Sequence, residues 1–321
     1  MQVTFVIPLY NCLALTQTMV ANLQASLPAN LAHEIILVDD GSTDGTRAWL
    51  ATLHPPFRVV LNERNLGYAA ANNRGAALAR GKFLALLNND LVLSPGWLEP
   101  MLAAHRSLGD RAGLVGNVQL DVRTGKIDHA GIFINLKGKP EHQRAWPDEF
   151  SHFFTTVYPV DALTGACALI GRALWIQLGG FDEGYVNGCE DVDLCFRAHA
   201  AGRINAVALR SRVRHHVSAS RNRKRSDEEN AYRLTRRWHA ELARCAARRW
   251  CRTYFESSPL EPGDHGYGFE LQIWLYALGL RRTPPAKALA AMQAAIGLEL
   301  TRWEEMFGGS GGAKRPPHWV L

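Results

Sequence analysis

EIILVDDGSTDGT, residues 34–46, decides the fold of this chain. Its apolar run is short, continuous and partly β-branched, which is typical of a strand buried on both faces of a sheet. Asp39 and Asp40 end the run, and the serine and threonine that follow the glycine are N-cap residues for a helix. A strand that passes directly into a helix predicts a βα unit of a parallel sheet.

The same alternation recurs through the N-terminal half of the chain. Strand-like runs occupy residues 3–10, 57–62 and 82–90, and helix-like stretches occupy residues 13–27 and 68–79. This order predicts an α/β fold with a mostly parallel central sheet flanked by helices. In such sheets, ligands bind outside the carboxyl ends of the strands. Polar residues lie at four of these ends: Tyr10 and Asn11, Asp39 and Asp40, Asn62 to Asn65, and Asn88 to Asp90. The sequence therefore predicts one site at this edge.

The remainder of the chain gives coarser predictions. Further strands are expected near 114–118, 166–170 and 204–209, a helix near 97–107, a hairpin near 126–134 and a mobile loop over 137–158. The pattern becomes helical from residue 227, with helices over 228–249, 270–280 and 285–306. The last residues, rich in glycine and proline, read as a loose tail.

Composition limits the class of protein. The 321 residues carry a formal net charge of +6, with a pI near 9.1, which indicates an anionic partner such as a nucleotide phosphate, a nucleic acid or an acidic membrane. Six scattered cysteines without zinc-type spacing favour a reduced, cytoplasmic protein. The chain opens directly on a strand-like run, so no secretory signal is expected, and no apolar run reaches the roughly 18 residues needed to span a bilayer.

An acidic pair, Glu190 and Asp191, lies in GGFDEGYVNGCEDVDLCFRAHAAG, residues 179–202. The pattern predicts a glycine-rich loop followed by an amphipathic helix that begins at the pair. The helix dipole favours ionised carboxylates there, so Asp191 is a candidate general base. Ordinary helix capping explains the same residues equally simply.

Two further stretches offer ligand contacts. Asp39 and Asp40 are acceptor-only groups suited to base N–H and ribose hydroxyl groups, although a DDGS turn also serves as plain punctuation. In NLGYAAANNRG, residues 65–75, Gly67 permits close approach of the backbone to a ligand and Asn73 supplies polar reach. The same turn before an alanine-rich helix needs no ligand.

A divalent cation site is suggested by Asp90, which directly follows a buried strand. Hard cations bind through one or two carboxylates together with substrate phosphates. His215 or His216 is the second candidate ligand, and imidazole suits Mn²⁺ better than Mg²⁺. The histidines are flanked by basic residues suited either to a diphosphate or to an ordinary solvated surface: Arg210, Arg212, Arg214, Arg221, Arg223, Lys224 and Arg225.

Taken in order, the motifs resemble inverting family 2 glycosyltransferases with the GT-A fold, in particular the branch of bacterial rhamnosyltransferases and related surface-polysaccharide enzymes. The resemblance covers about residues 3–220 and rests on VIPLYN, VDDGSTDGT, NLGYAAANNRG, LLNND, TGACALIGR and the acidic stretch. Asn88 replaces the first carboxylate of the family's DxD pattern, which weakens the expectation of tight metal binding. The resemblance implies the following roles. The nucleotide contacts are Pro8, Tyr10, Asn11, Asp39, Asp40, Gly67, Asn73, Asn88 and Asn89; the metal ligands are Asp90 with His216 or His215; the catalytic base is Asp191; and the sugar and acceptor contacts are Thr164, Gly165, Ala166 and Glu190.

The expected activity is therefore an inverting, Mn²⁺- or Mg²⁺-dependent transfer of a hexose or deoxyhexose. The donor is a UDP-, dTDP- or GDP-linked sugar, and the acceptor is a hydroxyl of a glycan or a lipid-linked molecule. The alternatives are a nucleotidyltransferase and a catalytically silent sugar-nucleotide-binding module, whereas no reader motif favours nucleic acid. Leu234 stands where the QxxRW motif of processive synthases has glutamine, so transfer is expected to be non-processive.

The expected organisation is a GT-A catalytic domain over residues 1–225, a helical region over 226–307 and a flexible tail over 308–321. Within the catalytic domain, about residues 1–110 form the nucleotide-binding half and 111–225 the acceptor-binding half. Peripheral contact with an anionic inner membrane face through the basic region, and homodimerisation, are further hypotheses.

Overall fold

The computed structural model describes residues 2–146, 155–216, 224–257 and 267–308, which divide into two compact units. The first unit contains the described residues up to 132 and those from 142 to 226. The second contains residues 133–141 and the described residues from 227 onward. The predicted tail apart from Gly308, which ends the last helix, and the basic residues Arg221 and Arg223 lie outside the described residues.

The elements follow the predicted alternation. The strands are β1 (Val3–Leu9), β2 (His33–Asp39), β3 (Phe57–Leu61), β4 (Phe83–Leu87), β5 (Leu91–Val92), β6 (Ala112–Asp121), β7 (Ile127–His129), β8 (Ile132–Ile134), β9 (Pro140–His142), β10 (Val157–Pro159), β11 (Cys167–Gly171) and β12 (Ile204–His215). The helices are α1 (Leu13–Ser26), α2 (Thr46–Leu50), α3 (Tyr68–Ala77), α4 (Leu98–Leu108), α5 (Arg172–Leu178), α6 (Glu190–Ala200), α7 (Lys224–Ser257), α8 (Tyr267–Ala277) and α9 (Ala286–Gly308), with a 3-10 turn at Gly109–Arg111.

The central sheet has the order β10-β12-β6-β11-β4-β1-β2-β3. Strands β4, β1, β2 and β3 are all parallel, as the N-terminal pattern predicts. β11 runs antiparallel to both of its neighbours, whereas β12 runs parallel to β6. The prediction of a mostly parallel sheet flanked by helices is confirmed. β5, β7, β10 and β11 run against the common direction. Of these, β11 places the residues before Cys167 beside the end of β4.

Packing against the parallel strands requires small residues on the covering helix. A Cβ atom on Gly75 of α3 would lie 2.5 Å from a Val6 methyl group and 2.9 Å from a Val38 methyl group. Glycine therefore allows α3 to lie directly on β1 and β2. The other face of these strands buries Phe5, Ile7 and Met19 completely, in a cluster with Trp97 of the segment before α4. The two faces fix the strand ends that carry the site.

Two predictions in the middle of the chain are wrong. The expected hairpin near 126–134 does not form, because β7 pairs antiparallel with β6 and β8 pairs with β9. The expected loop over 137–158 contains β9 and β10, and residues 147–154 lie outside the described residues. Short strands of three residues leave too few positions for an alternating pattern to be read from sequence.

The second unit is helical and includes residues 133–141. Lys139 lies 3.2 Å from a carboxylate oxygen of Glu299, and its ammonium group lies 5.1 Å from the centre of the Trp303 ring. Arg302 pairs with Glu228 at 2.7 Å, which joins the start of α7 to α9. Among the helices that the structure describes, none combines the length and the apolar character needed to cross a membrane.

Candidate active site

The turns after β1 and β2 brace each other. Asn11 adopts a left-handed conformation with φ of 55° and accepts a hydrogen bond from the Thr43 amide at 2.8 Å. Its own amide donates to the Ser42 hydroxyl oxygen at 2.8 Å. Pro8 is half-buried, whereas Tyr10 is 44% exposed at the end of β1. The exposed ring is thus presented to solvent by a rigid double turn.

Asp39 and Asp40 are buried and their carboxylates are engaged within the protein. Asp39 accepts hydrogen bonds from the Ser42 amide and from Nε of Arg47, the latter at 2.7 Å. Asp40 accepts hydrogen bonds from the amides of Leu66 and Gly67 at 2.9 and 2.8 Å. A third hydrogen bond to Asp40 comes from the side-chain amide of Asn62, at 2.7 Å. In this structure the two carboxylates hold the loops that follow β2 and β3.

The start of α3 is tied to the acidic loop. Asn73 donates to the carbonyl oxygen of Phe181 at 2.9 Å and accepts from the Phe181 amide at 2.9 Å. The side-chain oxygen of Asn187 accepts a hydrogen bond from the Tyr68 amide at 3.1 Å. Gly67, with φ of 92°, forms the turn that precedes α3. These bonds place the glycine-rich loop of residues 179–188 against the strand ends.

The predicted metal ligands meet where β5 pairs with β12. Oδ1 of Asp90 lies 3.2 Å from Nε2 of His215, whereas the His216 amide donates to the Asp90 carbonyl oxygen at 3.1 Å. Of the two histidines, His215 therefore presents its ring to the carboxylate. Oδ1 of Asp90 and Nδ1 of His215 are buried and make no hydrogen bond within the described residues.

The neighbouring asparagines differ from each other. Oδ1 of Asn88 is also buried and without a hydrogen-bond partner in the described part of the chain, whereas Asn89 donates to the Thr16 hydroxyl at 2.8 Å. No group of three or more histidine, cysteine or acidic side chains suited to a metal ion occurs among the described residues. A carboxylate and an imidazole nevertheless fit a cation whose other ligands are phosphate oxygens and water.

The turn Thr164–Gly165–Ala166 makes hydrogen bonds to three other parts of the site. The Asn88 amide donates to the Ala166 carbonyl oxygen at 2.8 Å, and the Gly165 amide donates to Oδ2 of Asp191 at 2.9 Å. The Tyr68 hydroxyl donates to the Gly165 carbonyl oxygen at 2.8 Å. A Cβ atom on Gly165 would lie 2.8 Å from that hydroxyl oxygen, so a larger residue at this position would displace either the turn or the Tyr68 hydroxyl.

Asp191 lies in the first turn of α6, which begins at Glu190 as predicted. Burial raises the pKa of Asp191 above that of an ordinary aspartate, while hydrogen bonds from the Gly165 and Val192 amides and the charge of nearby His142 lower it. A more basic carboxylate is a better proton acceptor. Glu190 is itself buried, and it accepts a hydrogen bond from the Gly188 amide at 2.6 Å.

The pKa of Tyr68 is also affected by burial and by the acidic pair. Burial raises the pKa of Tyr68 well above its ordinary value, and the carboxylates of Glu190 and Asp191 raise it further. The phenol therefore stays protonated and remains a hydrogen-bond donor to Gly165.

Two residues of the site were missed by sequence reasoning: His129 and His142. Their rings lie 4.9 Å apart in an edge-to-face arrangement, and Nε2 of His129 lies 3.4 Å from the Thr164 amide. The only sequence signal is a histidine before a glycine in DHAG, residues 128–131, which looks like an ordinary turn. His142 falls in the stretch that was predicted to be a loop.

The basic residues on β12 form a separate feature. Arg210, Arg212 and Arg214 are exposed at alternate positions and line a groove of about 270 Å³ beside Trp97. Arg212 also stacks on the Trp146 ring, with 5.2 Å between the guanidinium carbon and the ring centre. Because side chains alternate across a strand, these arginines point away from the face that carries His215.

Structural similarity first defines the fold. The chain superposes with a TM-score of 0.63 on a crystal structure of GalNAc-T7 with UDP, GalNAc and Mn²⁺, at 19% identity, over 94% of this chain and 57% of that one. With Staphylococcus aureus TarS, residues 1–349, the TM-score is 0.55 at 15% identity, over 98% of this chain and 93% of that one. Both comparisons support the GT-A fold.

The sequence then defines the family. Residues 4–175 match the model of glycosyl transferase family 2, and the chain belongs to this family. It is 30% identical over 219 residues to an N-acetylglucosaminyl-diphospho-decaprenol L-rhamnosyltransferase of Mycobacterium tuberculosis, which covers 62% of this chain and 71% of that protein. It is also 30% identical over 296 residues to an O-antigen biosynthesis protein of Myxococcus xanthus, which covers 88% of this chain.

The chain is shorter than several of these relatives. It spans 21% of the Myxococcus xanthus protein and 23% of an uncharacterized protein of Sinorhizobium fredii, to which it is 34% identical over 208 residues. The similarity to the rhamnosyltransferase and to the O-antigen biosynthesis protein places the chain in the rhamnosyltransferase-like branch of the family. The chain corresponds to less than a quarter of the two longer relatives, so the activity of either whole protein is not assigned to it.

Proposed function

We propose that this chain transfers a sugar from a nucleoside-diphosphate sugar to an acceptor hydroxyl, with inversion at the anomeric carbon. The observation that carries the proposal is the hydrogen bond from the Gly165 amide to Asp191, at 2.9 Å. This bond holds the carboxylate of Asp191 against the turn at Gly165. The same turn accepts a hydrogen bond from the amide of Asn88, close in sequence to Asp90. A base and a phosphate-side cation site on one sheet edge are the parts that a single displacement needs.

In this proposal Asp191 removes the proton from the acceptor hydroxyl as the oxygen attacks the anomeric carbon. General-base catalysis of this kind contributes roughly 10²–10⁴-fold to a rate. The Gly165 and Val192 amides hold the carboxylate in place through 2.9 and 2.8 Å hydrogen bonds. Attack from the face opposite the leaving group inverts the configuration without a covalent enzyme intermediate.

Asp90 and His215 would hold Mn²⁺ or Mg²⁺. This assignment is supported by their contact at 3.2 Å and by the buried oxygens of Asp90 and Asn88, which make no hydrogen bond within the described residues. A bound cation would supply Lewis-acid stabilisation of the negative charge that develops on the leaving diphosphate. Tyr10 is proposed to cover the nucleotide base, and its exposure at the end of β1 supports this role. Pro8, Asn11 and Asn89 shape the loops around it.

The donor is proposed to carry a hexose or deoxyhexose on UDP, dTDP or GDP, and the acceptor to be a glycan or lipid-linked molecule. One relative is by its name a rhamnosyltransferase that acts on a decaprenol-linked molecule, which supports a deoxyhexose and a lipid-linked acceptor. A cytoplasmic location is proposed as well, on the scattered spacing of the six cysteines in the sequence.

The direct test is a panel of UDP-, dTDP- and GDP-sugars with Mn²⁺ or Mg²⁺, scored by release of nucleoside diphosphate and by the anomeric configuration of the product. Asp191→Asn is expected to lower the rate by about 10³-fold while donor binding persists. Asp110→Asn, an exposed carboxylate of the 3-10 turn, is the matched control. Binding without turnover for every donor and acceptor would point to a silent sugar-nucleotide-binding module.

The arginine groove on β12 supports a second part of the proposal, peripheral contact with an anionic membrane face. Arg210, Arg212 and Arg214 form no ion pair with a carboxylate of the described residues. Sedimentation with anionic vesicles at low salt should fall in the triple Arg→Gln variant and persist in Arg111→Gln. Light scattering of the purified chain tests the remaining hypothesis, homodimerisation.

A further inference from the structure

His129 and His142 are held side by side by the backbone. The Ala130 amide donates to the Gln143 carbonyl oxygen at 2.8 Å, and the Gln143 amide donates to the Gly131 carbonyl oxygen at 2.8 Å. These two bonds join the end of β7 to the end of β9. The rings consequently meet edge to face, with centroids 4.9 Å apart and an interplanar angle of 73°.

His129 is the fixed member of the pair. It is fully buried, and its Nε2 accepts hydrogen bonds from the Gly131 and Thr164 amides at 3.3 and 3.4 Å. A ring nitrogen that accepts hydrogen bonds carries no proton, so the proton of the neutral ring resides on Nδ1. Burial lowers the pKa of His129 well below its ordinary value, and His142 and His215 lower it further. His129 therefore stays neutral and braces Thr164.

The brace leads directly to the base. Thr164 is followed by Gly165, whose amide donates to Asp191 at 2.9 Å. One short turn thus connects the histidine pair to the carboxylate on α6. His142 is the outer member of the pair, and its side chain is exposed to solvent.

The charges around His142 come from three elements. Partial desolvation lowers the pKa of His142, the carboxylates of Asp191 on α6 and Asp128 on β7 raise it, and Arg144 lowers it. His129, the ring on its inner side, is neutral. Two further ionisable groups lie near Asp191. Tyr68 of α3 is a protonated phenol, and Glu190, which precedes Asp191 in the sequence, is buried.

A base of this kind must lose its proton before the next turnover. Asp191 is only partly open to solvent, both of its oxygens accept backbone hydrogen bonds, and a bound acceptor would cover it. His142 is exposed, and its ring packs against His129, which contacts the turn whose Gly165 amide holds Asp191.

We propose that His142 is the group through which the proton taken up by Asp191 leaves the site. This inference rests on the proposed function. The acceptor oxygen forms its bond to the anomeric carbon as its proton passes to Asp191, and the electron pair of the broken bond stays with the nucleoside diphosphate. Asp191 then passes the proton to the His142 imidazole, directly or through one water molecule. That transfer restores the carboxylate, and the imidazolium then releases the proton to bulk water, which restores the neutral His142.

The first experiment is chemical rescue. His142→Ala is expected to lower kcat by about 10–100-fold with little change in the donor KM, and added imidazole should restore part of the rate in a saturable manner. Rescue separates proton transfer from a structural role, because free imidazole replaces no packing. His54→Ala, an exposed histidine near β3, is the control and should show neither loss nor rescue. A normal rate, or a loss that imidazole does not rescue, overturns the proposal.

The second experiment needs no turnover. Side-chain NMR titration of His142 in the wild type and in Asp191→Asn measures the coupling, and the pKa of His142 should fall in the variant because one carboxylate that raises it is gone. An unchanged pKa overturns the proposal.

Measurements of donor binding and turnover distinguish failure of the proposed function from failure of the proton-release role. If the wild type turns over no nucleotide sugar, the proposed function and the proton-release role fail together. If the wild type is active and His142→Ala matches it, only the proton-release role fails.

Discussion

Two groups of polar residues at the same sheet edge differ in how completely the protein satisfies them. On the side of β2 and β3, both carboxylate groups, Asp39 and Asp40, accept several hydrogen bonds from the surrounding turns and side chains. On the side of β4 and β12, Asn88, Asp90 and His215 keep buried atoms without a hydrogen-bond partner in the described residues. A buried, unsatisfied polar group costs about 1–3 kcal/mol. The first group therefore stabilises the loops of the site, and the buried atoms of the second group remain available to a ligand.

Among the substitutions that test this difference, Asp40→Ala is expected to have the largest effect. The variant leaves the side-chain amide of Asn62 and the amides of Leu66 and Gly67 without their acceptor. We expect a loss of about 3–5 kcal/mol in the free energy of unfolding, since several buried donors lose a charged partner. Urea denaturation measures it. Glu63→Ala, exposed in the same loop, should change stability by less than about 0.5 kcal/mol.

Asp90→Ala should show the opposite behaviour. It removes a carboxylate oxygen that satisfies no hydrogen bond within the described chain, so the melting temperature should change by only about 2 °C. Loss of a cation ligand should weaken Mn²⁺-dependent donor binding by about 100-fold, or roughly 2.7 kcal/mol. Calorimetry with and without Mn²⁺ checks both statements. Unaltered Mn²⁺-dependent binding would remove Asp90 from the metal site.

The junction between the two groups is tested by Gly165→Ala. The new methyl group would lie 2.8 Å from the Tyr68 hydroxyl oxygen and should displace the amide that holds Asp191. We expect kcat to fall about 10-fold, or roughly 1.4 kcal/mol. Tyr68→Phe removes the clashing oxygen and leaves ring carbons no closer than 3.4 Å. Transfer rates of the double variant should therefore exceed those of Gly165→Ala, and an additive loss would exclude this contact as the cause.

The smallest expected effect is on pH-dependent stability. Because burial raises the pKa of Asp191 in the folded state, the native protein binds more protons than the unfolded chain between the two pKa values. Stability should therefore fall as pH rises through the folded pKa, and the full contribution returns below the unfolded value near 3.8. Asp191→Asn should remove this slope and be more stable than the wild type at neutral pH. Denaturation curves at several pH values decide it.

Local sequence patterns anticipate the residues that lie at element ends. An apolar strand shortly before Asp90, and a helix beginning at Glu190, are visible from a few neighbours in sequence. The structure has β4 at Phe83–Leu87 and α6 from Glu190. The parallel half of the sheet follows from the same alternation.

The unpredicted half of the site depends on long-range pairing. His129 reaches Thr164 only because β7 pairs with β6 while β11 lies between β6 and β4. His142 belongs to a strand of three residues whose partner is β8. Neither register can be read from sequence. Likewise, the pattern shows that Asp39 and Asp40 end a strand, but not that surrounding amides already occupy their oxygens.

The helical unit takes residues 133–141 from the middle of the chain, inside the span that matches the family model. Removing residues from 227 onward would strip Lys139 of Glu299, take Arg249 from the face of Phe133, and expose the side of Gly138 that contacts Ile296. The C-terminal helices are consequently not a cassette that can be deleted or exchanged alone. In evolution, a new helical region could replace this one only together with matching changes in residues 133–141.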